Sequence, residues 1–224
     1  RGSWAGAFGP TQFMPTAFKR YAVDGDGDGR RDVVDNPYDL IASTANNLKK
    51  DGWQSGKTWG YEVAVPKGFN YMMADRARSM TLAQWQHLGV TRPGGKAFPH
   101  PGEKAYLLAP AGAEGPGFLM LQNFRVIMKY NPAEAYALAI GHFADRLRGG
   151  QPFVQPWPRQ ERVLSRAERL ELQQLLAQRG FYRGTPDGQI GSMTREALRG
   201  FQASIGTAAD GFASSDVLDR LRGR

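Results

Sequence analysis

The segment from Arg148 to Arg159 is the strongest constraint on how this chain of 224 residues can fold. It contains three prolines and two glycines within twelve residues. Proline fixes φ and removes a backbone donor, so no helix or central strand runs through such a segment. The composition is typical of a semi-rigid, extended linker. We therefore expect two folded parts, residues 1–148 and residues 160–224, joined by a linker at residues 149–159.

Composition excludes several classes of protein. The chain has no cysteine, which rules out disulfide scaffolds, zinc ribbons and cysteine nucleophiles. No apolar run approaches the ~20 residues of a membrane-spanning helix. The net charge is +8, which favours an anionic partner such as nucleic acid, an anionic membrane or an anionic polysaccharide. Nucleic acid is the weakest of these, because the charge is diffuse and no recognised nucleic-acid motif is present.

Residue spacing predicts a mainly helical first part. Apolar residues recur at intervals of three and four over residues 37–48, 81–88 and 132–143, which is typical of amphipathic helices. The first of these helices starts at a proline and the second at a capping threonine, Thr81. Two short apolar runs, residues 105–108 and 117–121, flank a Gly/Pro-rich turn. They predict a small β-hairpin inserted in the helical domain.

The second part contains a weak internal repeat. Asp187-Gly188 and Asp210-Gly211 lie 23 residues apart, and each pair precedes serine or threonine residues that would cap a helix, Ser192 or Thr194 and then Ser214 or Ser215. Two copies are too few for a solenoid. A compact domain of three helices fits this pattern better.

A short acidic loop predicts a metal site. Asp24, Asp26 and Asp28 occupy positions 1, 3 and 5 of an EF-hand-like loop, and Gly29 occupies position 6. Hard cations such as Ca²⁺ take six to eight oxygen ligands, so carboxylates that converge on a tight turn suit them. Arg30, at position 7, would contribute its backbone carbonyl.

Two residues are candidates for the last ligand of the metal loop. Position 12 is Asp35, where a longer glutamate is usual, and Asp39 in the first turn of the following helix is the alternative. A solvated acidic turn without an ion is disfavoured, since three carboxylates within five residues repel each other. A lone loop without a paired partner loop is typical of a structural site. We expect Ca²⁺ in a structural role.

The opening stretch, residues 2–15, alternates small and aromatic residues. Its glycines allow the backbone to approach a ligand closely, and Gln12 offers both a donor and an acceptor to sugar hydroxyls and amides. A glycine-rich structural turn is the alternative interpretation.

This stretch carries a resemblance to a known family. The run Gly2-Ser3-Trp4-Ala5-Gly6-Ala7-Phe8-Gly9, the segment Gln12-Phe13-Met14-Pro15, the acidic loop and Trp53 closely resemble the lytic transglycosylase B family, over about residues 1–150. The resemblance implies a lysozyme-like α+β catalytic domain. It also implies non-hydrolytic cleavage of the β-1,4 bond between N-acetylmuramic acid and N-acetylglucosamine, which gives 1,6-anhydromuramyl products.

The resemblance also implies which residues contact the substrate. Ser3 and Gln12 would line the cleft, Tyr130 and Asn131 would hydrogen-bond the sugar, and Tyr136 would direct its phenol toward the reaction centre. The family's catalytic glutamate lies upstream of the glycine-rich run in a motif that this sequence lacks, so we expect it to precede residue 1. Glu134 is the only glutamate near the matched motifs, and its setting among helix formers is typical of a solvent-facing residue.

Residues 160–224 are similar to the peptidoglycan-binding domain 1 family, through Leu170, Gln173, Leu176, Gly180, Phe181, Tyr182, Asp187, Gly188, Ala197, Leu198, Phe201 and Gln202. The implied partners are peptidoglycan glycan strands and stem peptides, and other cell-wall enzymes, but not nucleic acid. Stem-peptide carboxylates could meet the surface arginines Arg179, Arg183, Arg195 and Arg199, although a solvated basic face explains them equally well.

The implied location is the periplasm of a Gram-negative bacterium, as a soluble or lipid-anchored protein. A non-catalytic, calcium-stabilised peptidoglycan-binding protein is the alternative function.

Overall fold

The computed structural model describes residues 2–159 and 162–223, which belong to two compact units. One unit contains the chain up to Trp59 together with Gln122–Gly149, and the other contains Gly60–Leu121 together with the chain from Gly150 onward. The expected domain boundaries at 148 and 160 follow a different division and remain predictions. Residues 1, 160, 161 and 224 of the expected domains lie outside the described residues.

The described residues are mainly helical, with one small sheet, which confirms the expected fold class. Among them, no helix is long and apolar enough to cross a membrane. The helices are α1 (Pro15–Tyr21), α2 (Pro37–Lys50), α3 (Leu82–His87), α4 (Gln122–Tyr130), α5 (Glu134–Leu147), α6 (Arg166–Gln178), α7 (Ser192–Ser204) and α8 (Ser215–Leu221). The strands are β1 (Gly60–Val63), β2 (Met80–Thr81), β3 (Lys104–Leu108) and β4 (Gly117–Met120).

The first unit is built around α2, which starts at Pro37 as expected. The side chain of Asn36 caps it by accepting the backbone N–H groups of Tyr38 and Asp39. The buried side of this helix is polar, because its fully or nearly buried residues are Asp39, Ser43 and Asn47. The inward side chains of α2 are therefore available to hydrogen-bond the backbone of neighbouring loops.

Two further helices, α4 and α5, pack together in the first unit. The helix α4, for which the sequence analysis made no prediction, buries Phe124, Val126 and Ile127, and α5 begins two residues later than expected, at Glu134. Gly141 of α5 lies against Trp59, since a Cβ at this glycine would fall 2.7 Å from the indole ring. The Trp59 indole N–H donates to Asp145 over 2.7 Å. A small residue in α5 thus allows close packing of the tryptophan.

The sheet of the second unit is antiparallel, with strand order β1-β4-β3-β2. The predicted hairpin is confirmed as β3 and β4, with Leu107 opposite Leu119. It forms the centre of a larger sheet, because β1 pairs with β4 and β2 pairs with β3. The sequence does not predict these two outer strands, because they are four and two residues long and too short for a clear alternating pattern.

Both faces of β4 are covered. On one face, Leu119 packs in a cluster that includes the buried Trp85 of α3. On the other face, Phe118 contacts the proline-rich segment: its ring lies 4.9 Å from Phe153 and 6.2 Å from Trp157, measured between ring centroids. All four residues of β4 are therefore buried. A strand that is covered on both faces does not need to alternate polar and apolar residues.

The proline-rich segment is therefore attached to the sheet, and we call residues 153–157 the strap. Besides the aromatic contacts, the Glu62 carboxylate accepts the N–H groups of Val154 (2.9 Å) and Gln155 (2.7 Å). The Gln155 amide donates to the Val63 carbonyl over 2.8 Å. The strap contains no helix or strand residue, and these contacts pack it against β1 and β4.

Residues 162–223 form a module of three helices, as predicted, with a core that includes Leu172, Leu198, Phe201 and Leu218. Ser214 caps α8 by accepting the Val217 N–H, which confirms one predicted cap. The predicted cap of α7 is wrong, because its N-cap is Gly191, which has no side chain to offer. Thr194 is instead buried inside the helix, where its hydroxyl accepts a hydrogen bond from Gln173 over 3.0 Å.

A buried glutamine holds each Asp-Gly turn of the module. Gln173 accepts the N–H groups of Asp187 (2.9 Å) and Gly188 (2.7 Å) on its carbonyl, and its amide donates to Asp187 over 3.0 Å. Gln202 accepts the N–H of Gly211 over 2.8 Å and donates to Asp210 over 2.6 Å. We call each arrangement a glutamine clamp. It explains the internal repeat as two copies of one turn-holding device.

Replacing Gln173 by leucine should destabilise the module by about 2 to 4 kcal/mol, because buried N–H groups of the first clamp would lose their acceptor. Urea unfolding monitored by the amide NMR signals of α6–α8 measures this loss. The matched control is Gln174→Leu on the exposed side of the same helix, which should change stability by less than about 0.5 kcal/mol. Equal effects of the two substitutions would contradict a special role for the clamp.

Candidate functional site

The glycine-rich opening forms a tight turn closed by two aromatic residues. Phe8 and Phe13 exchange backbone hydrogen bonds of 3.0 and 2.9 Å, so residues 9–12 turn sharply between them. Phe13 is buried, and it anchors the turn in a small cluster with Ala22 and Val33. The turn is therefore a fixed element of the first unit.

Gln12 lies at the exposed tip of this turn in a strained conformation. Its φ is +54°, and it is the only non-glycine residue with positive φ in the described part of the chain. A left-handed conformation costs a residue with a Cβ about 1–2 kcal/mol. The amide of Gln12 donates to the Gly9 carbonyl over 2.9 Å, which helps to hold it in place. Strain of this kind is concentrated at functional sites, so Gln12 stays a predicted ligand-contacting residue.

Ser3 occupies an adjoining turn. Its hydroxyl accepts the Ala7 N–H over 3.1 Å, and its own N–H donates to the Ala7 carbonyl over 2.7 Å. Gly2 is required here, because a Cβ at this position would fall 2.7 Å from the same carbonyl oxygen. Ser3 is exposed, so its hydroxyl hydrogen can be offered outward.

Tyr130 connects the end of α4 to the opening turn. Its hydroxyl donates a short hydrogen bond to the Thr11 backbone carbonyl, and its ring meets Phe13 edge-on at a centroid distance of 6.5 Å. Burial raises the pKa of the Tyr130 phenol above its usual value. Tyr130 therefore stays protonated at neutral pH and fixes the position of the turn that carries Gln12.

The other two candidates lie just beyond Tyr130. Asn131 accepts the Ala133 N–H over 3.1 Å and so shapes the two-residue connection into α5. Tyr136 is 37 % exposed on the first turns of α5, close enough to Tyr130 that its charge would raise the Tyr130 pKa. The structure thus brings Gln12, Tyr130 and Tyr136 into one region, with Asn131 beside them. The contacts of Ser3 lie within its own turn.

Sequence reasoning missed Thr11 and Thr44. The Thr11 carbonyl receives the Tyr130 hydroxyl, and the Thr44 hydroxyl donates to the Leu40 carbonyl over 2.7 Å while lying 3.4 Å from the Thr11 hydroxyl. A backbone acceptor leaves no trace in residue identity, so no pattern in the sequence points to it.

The acidic loop brings together the three predicted carboxylates. Oxygen atoms of Asp24, Asp26 and Asp28 all lie within 4.8 Å of one another at the protein surface. The Asp24 carboxylate accepts the N–H groups of Gly27 (2.6 Å) and Gly29 (2.8 Å). The Gly29 hydrogen bond is the main cause that holds the pKa of Asp24 below its usual value. These carboxylates are oriented by the backbone, as ligands of a bound cation would need to be.

The two candidates for the closing ligand differ in their surroundings. Asp39 is fully buried, and its two oxygens accept the N–H groups of Gly25 and Asp32, each over 2.6 Å. Asp35 is exposed at the end of the loop, where its N–H donates to Asp32 over 3.0 Å. In this geometry Asp39 braces the loop from inside.

The donor set of the loop fits a hard cation. Its side-chain donors are carboxylate oxygens, and Arg30, exposed directly after Gly29, adds a backbone carbonyl to the set that the loop can offer. Soft metals such as zinc favour cysteine and histidine, which the loop lacks. An oxygen-only site is what calcium or magnesium requires.

The chain thus combines a mainly helical part, which carries the acidic loop and the tyrosine-lined turn, with a three-helix module that follows it. This chain belongs to the transglycosylase SLT domain family, whose model matches residues 1–145. A second model, described as a putative peptidoglycan binding domain, matches residues 165–221.

Individual relatives agree with this assignment. The membrane-bound lytic murein transglycosylase B of Escherichia coli K12 is 34 % identical over 147 residues, which cover 62 % of this chain and 37 % of the relative. SltB3 from Pseudomonas aeruginosa, solved in complex with NAG-anhNAM-pentapeptide, is 50 % identical with a TM-score of 0.94, and the match covers 99 % of this chain and 60 % of that chain. This neighbour confirms the lysozyme-like fold class. Escherichia coli SLT35, solved in complex with calcium, is 29 % identical with a TM-score of 0.52, over 66 % of this chain and 46 % of that one.

The matches therefore span 37 % to 60 % of the length of these relatives. The family membership of the chain follows from the matched domain itself.

Replacing Tyr130 by phenylalanine should loosen the opening turn, because the Thr11 carbonyl would lose its hydroxyl donor. We expect a stability loss of about 1 kcal/mol and faster hydrogen exchange of the Gln12 and Phe13 amides. Urea unfolding and amide exchange measured by NMR provide the two readouts. Tyr136→Phe serves as the control, since its partly exposed ring should leave both unchanged, and identical behaviour of the two variants would disprove the linking role of Tyr130.

Proposed function

We propose that this chain is part of a lytic transglycosylase that cleaves the MurNAc–GlcNAc β-1,4 bond of peptidoglycan and forms 1,6-anhydromuramyl products. The observation that carries this proposal is the 50 % identity, along nearly the whole chain, to SltB3, which was solved with a NAG-anhNAM-pentapeptide. The same relative was also solved with NAG-NAM-pentapeptide, at 51 % identity. The anhydro sugar in the first complex is the type of product that non-hydrolytic cleavage gives.

The proposed reaction needs one carboxylic acid that stays protonated until it acts. The acid donates its proton to the glycosidic oxygen as the bond from that oxygen to the anomeric carbon breaks. The resulting carboxylate then takes the proton of the muramyl 6-hydroxyl, whose oxygen attacks the same carbon and closes the anhydro ring. Since no glutamate of this chain lies in the family's catalytic motif, we propose that the acid comes from the part of the catalytic domain that precedes residue 1.

In this proposal the described residues bind and orient the sugar. Gln12 presents its side-chain carbonyl oxygen at an exposed, strained turn, where it can accept from a hydroxyl or amide. Ser3 and Asn131 each use an oxygen to accept a backbone N–H, which leaves their own hydrogens to donate to the substrate. Tyr130 has its hydrogen committed to Thr11, so its oxygen can accept. Tyr136 presents its partly exposed phenol toward the reaction centre.

We also propose that the acidic loop holds a structural Ca²⁺. Asp24, Asp26, Asp28 and the Arg30 carbonyl would be ligands, and either Asp35 or Asp39 would close the site. The close approach of the three carboxylates and the calcium complex of SLT35 support this. A bound cation would offset their mutual repulsion and hold the loop against α2.

The proposed partners follow from the same assignment. Glycan strands and stem peptides of peptidoglycan would bind the catalytic domain and the three-helix module, for which the match to a peptidoglycan-binding domain is the support. Interaction with other cell-wall enzymes belongs to the proposal as well. The proposed location is the periplasm, with the protein either soluble or anchored by a lipid.

The activity is tested by incubating the full-length protein that contains this chain with purified sacculi. Mass spectrometry should show 1,6-anhydromuropeptides, and Gln12→Ala should lower the initial rate by roughly ten-fold, or ~1.4 kcal/mol of activation free energy. Products with reducing ends would instead show hydrolysis. Binding to sacculi without any release of fragments would favour a non-catalytic peptidoglycan-binding protein.

Calcium binding is tested by thermal unfolding with chelator and with added Ca²⁺. Calcium at roughly 100 times its Kd should raise the Tm by about 5 to 10 °C, because a ligand that binds only the native state stabilises it by about 2.7 kcal/mol. Asp24→Asn should abolish the difference. A Tm that is the same with chelator and with calcium would remove the metal from the proposal.

The same assay distinguishes the closing ligands. If Asp35 closes the site, Asp35→Asn weakens calcium binding while the stability in chelator stays unchanged. Asp39→Asn should lower the stability in chelator as well, since the buried carboxylate braces the loop without an ion.

A further inference from the structure

The second glutamine clamp repeats the first but has one additional contact. In both clamps the aspartate accepts the glutamine amide on Oδ1 and also accepts a backbone N–H two residues later on the same oxygen. The glycines that follow have nearly equal φ values, +74° at Gly188 and +72° at Gly211. The hydrogen bonds that the aspartate accepts within each clamp therefore use only its Oδ1 atom.

The second oxygen of Asp210 contacts the sheet. Its Oδ2 accepts the N–H of Ala113 over 2.7 Å, and Ala113 lies in the turn between β3 and β4. The preceding Gly112 makes this approach possible, because a Cβ there would fall 2.4 Å from the same oxygen and 2.8 Å from Phe212 Cβ. Gly112 also has a φ of +66°, so the turn presents the Ala113 N–H toward the module only with glycine before it.

The surroundings of this contact belong to the sheet and to the module alike. A cleft of about 330 Å³ is lined on one side by Ala113 and Glu114 and on the other by Phe212 and Arg220. The charge of Asp210 reaches residues beyond the module: burial mainly, and then Asp210 and Glu114, raise the pKa of Tyr71 to about 12. The carboxylate thus lies close enough to Tyr71, which precedes β3 in the chain, to affect its pKa.

The strap supplies a second and separate attachment. Its aromatic side chains lie on Phe118 of β4, and its backbone binds Glu62 of β1. The Asp210 contact lies at the turn between β3 and β4. If the module were attached only through the strap, it could rotate about that attachment. The second contact, at Asp210, restricts this rotation.

We propose that Asp210 is an orienting residue that docks the three-helix module on the turn between β3 and β4, so that strap and carboxylate together hold the module in one orientation. The second clamp serves two purposes with one side chain: Oδ1 holds its own turn and Oδ2 holds the sheet. Asp187 in the first clamp has only the internal purpose. Without the Oδ2 contact the module stays attached through the strap and reorients about it.

The consequence for binding rests on the proposed function. A module in a fixed orientation presents its peptidoglycan-binding surface in one direction. Once the module has bound peptidoglycan, the effective concentration of glycan is raised for any site that faces the same strand. The orientation itself is measured without peptidoglycan, so a failure of this proposal is distinguishable from a failure of the proposed function.

The test uses distances between two spin labels. Because the sequence contains no cysteine, Lys104→Cys on the sheet and Gln178→Cys at the end of α6, both exposed, give two unique labelling sites. Pulsed electron paramagnetic resonance should give one narrow distance distribution for this doubly labelled chain. Asp210→Asn keeps a carbonyl oxygen for the clamp but turns an NH₂ toward the Ala113 N–H, and it should at least double the width of the distribution.

Matched variants separate docking from folding. Asp187→Asn makes the same change in the first clamp and should leave the distribution narrow. Gly112→Ala acts from the sheet side, against Oδ2 of Asp210, and leaves every side chain of the clamp unsubstituted. It should broaden the distribution as Asp210→Asn does. Gly94→Ala, also at positive φ but with open space around it, should not. The proposal is overturned if the unsubstituted pair is already broad, or if Gly112→Ala leaves the distribution narrow while the amide exchange of α6–α8 is unchanged.

Discussion

The buried carboxylate of Asp39 is the contact on which the acidic loop and its surroundings depend. A charge without access to water is costly unless it is fully hydrogen-bonded, and both oxygens of Asp39 have a backbone N–H at 2.6 Å. Those two N–H groups belong to Gly25, which lies between Asp24 and Asp26, and to Asp32, which follows the three acidic residues. Asp39 therefore sets the width of the loop before any ion arrives. The carboxylates of such a loop have converged before a cation binds. The entropic cost of ordering them therefore falls on folding and does not weaken cation binding.

The helix that carries Asp39 reverses the usual amphipathic rule. Its exposed side bears Tyr38 and Ile41, which are 67 % and 69 % exposed, while Asp39 and Ser43 are buried. The reason is that an irregular segment lies beside it and needs hydrogen-bond partners. The Ser43 hydroxyl accepts the Val23 N–H and donates to the Val23 carbonyl. An irregular loop thus obtains from polar side chains the hydrogen bonds that a strand would obtain from a neighbour.

These features show which parts of the structure the sequence could predict. Local signals were sufficient for the start of α2 at Pro37, for the Thr81 cap of α3 and for the hairpin of β3 and β4. Two kinds of feature escaped. One is backbone chemistry, such as the Thr11 carbonyl that receives Tyr130, since every residue type carries a carbonyl. The other is pairing over long separations, such as β1 with β4, because a four-residue strand has no pattern until its partner covers it.

The strap has a consequence for how such proteins can be recombined. By composition the proline-rich segment is the natural place to cut and exchange one module for another. Its aromatic residues, however, lie on Phe118, a fully buried residue of a central strand. A graft made within the segment would expose that ring and leave the Glu62 carboxylate without its two backbone donors. A chimera with an intact sheet must therefore keep residues 150–158 together with that sheet. The junction that preserves these contacts lies after Pro158.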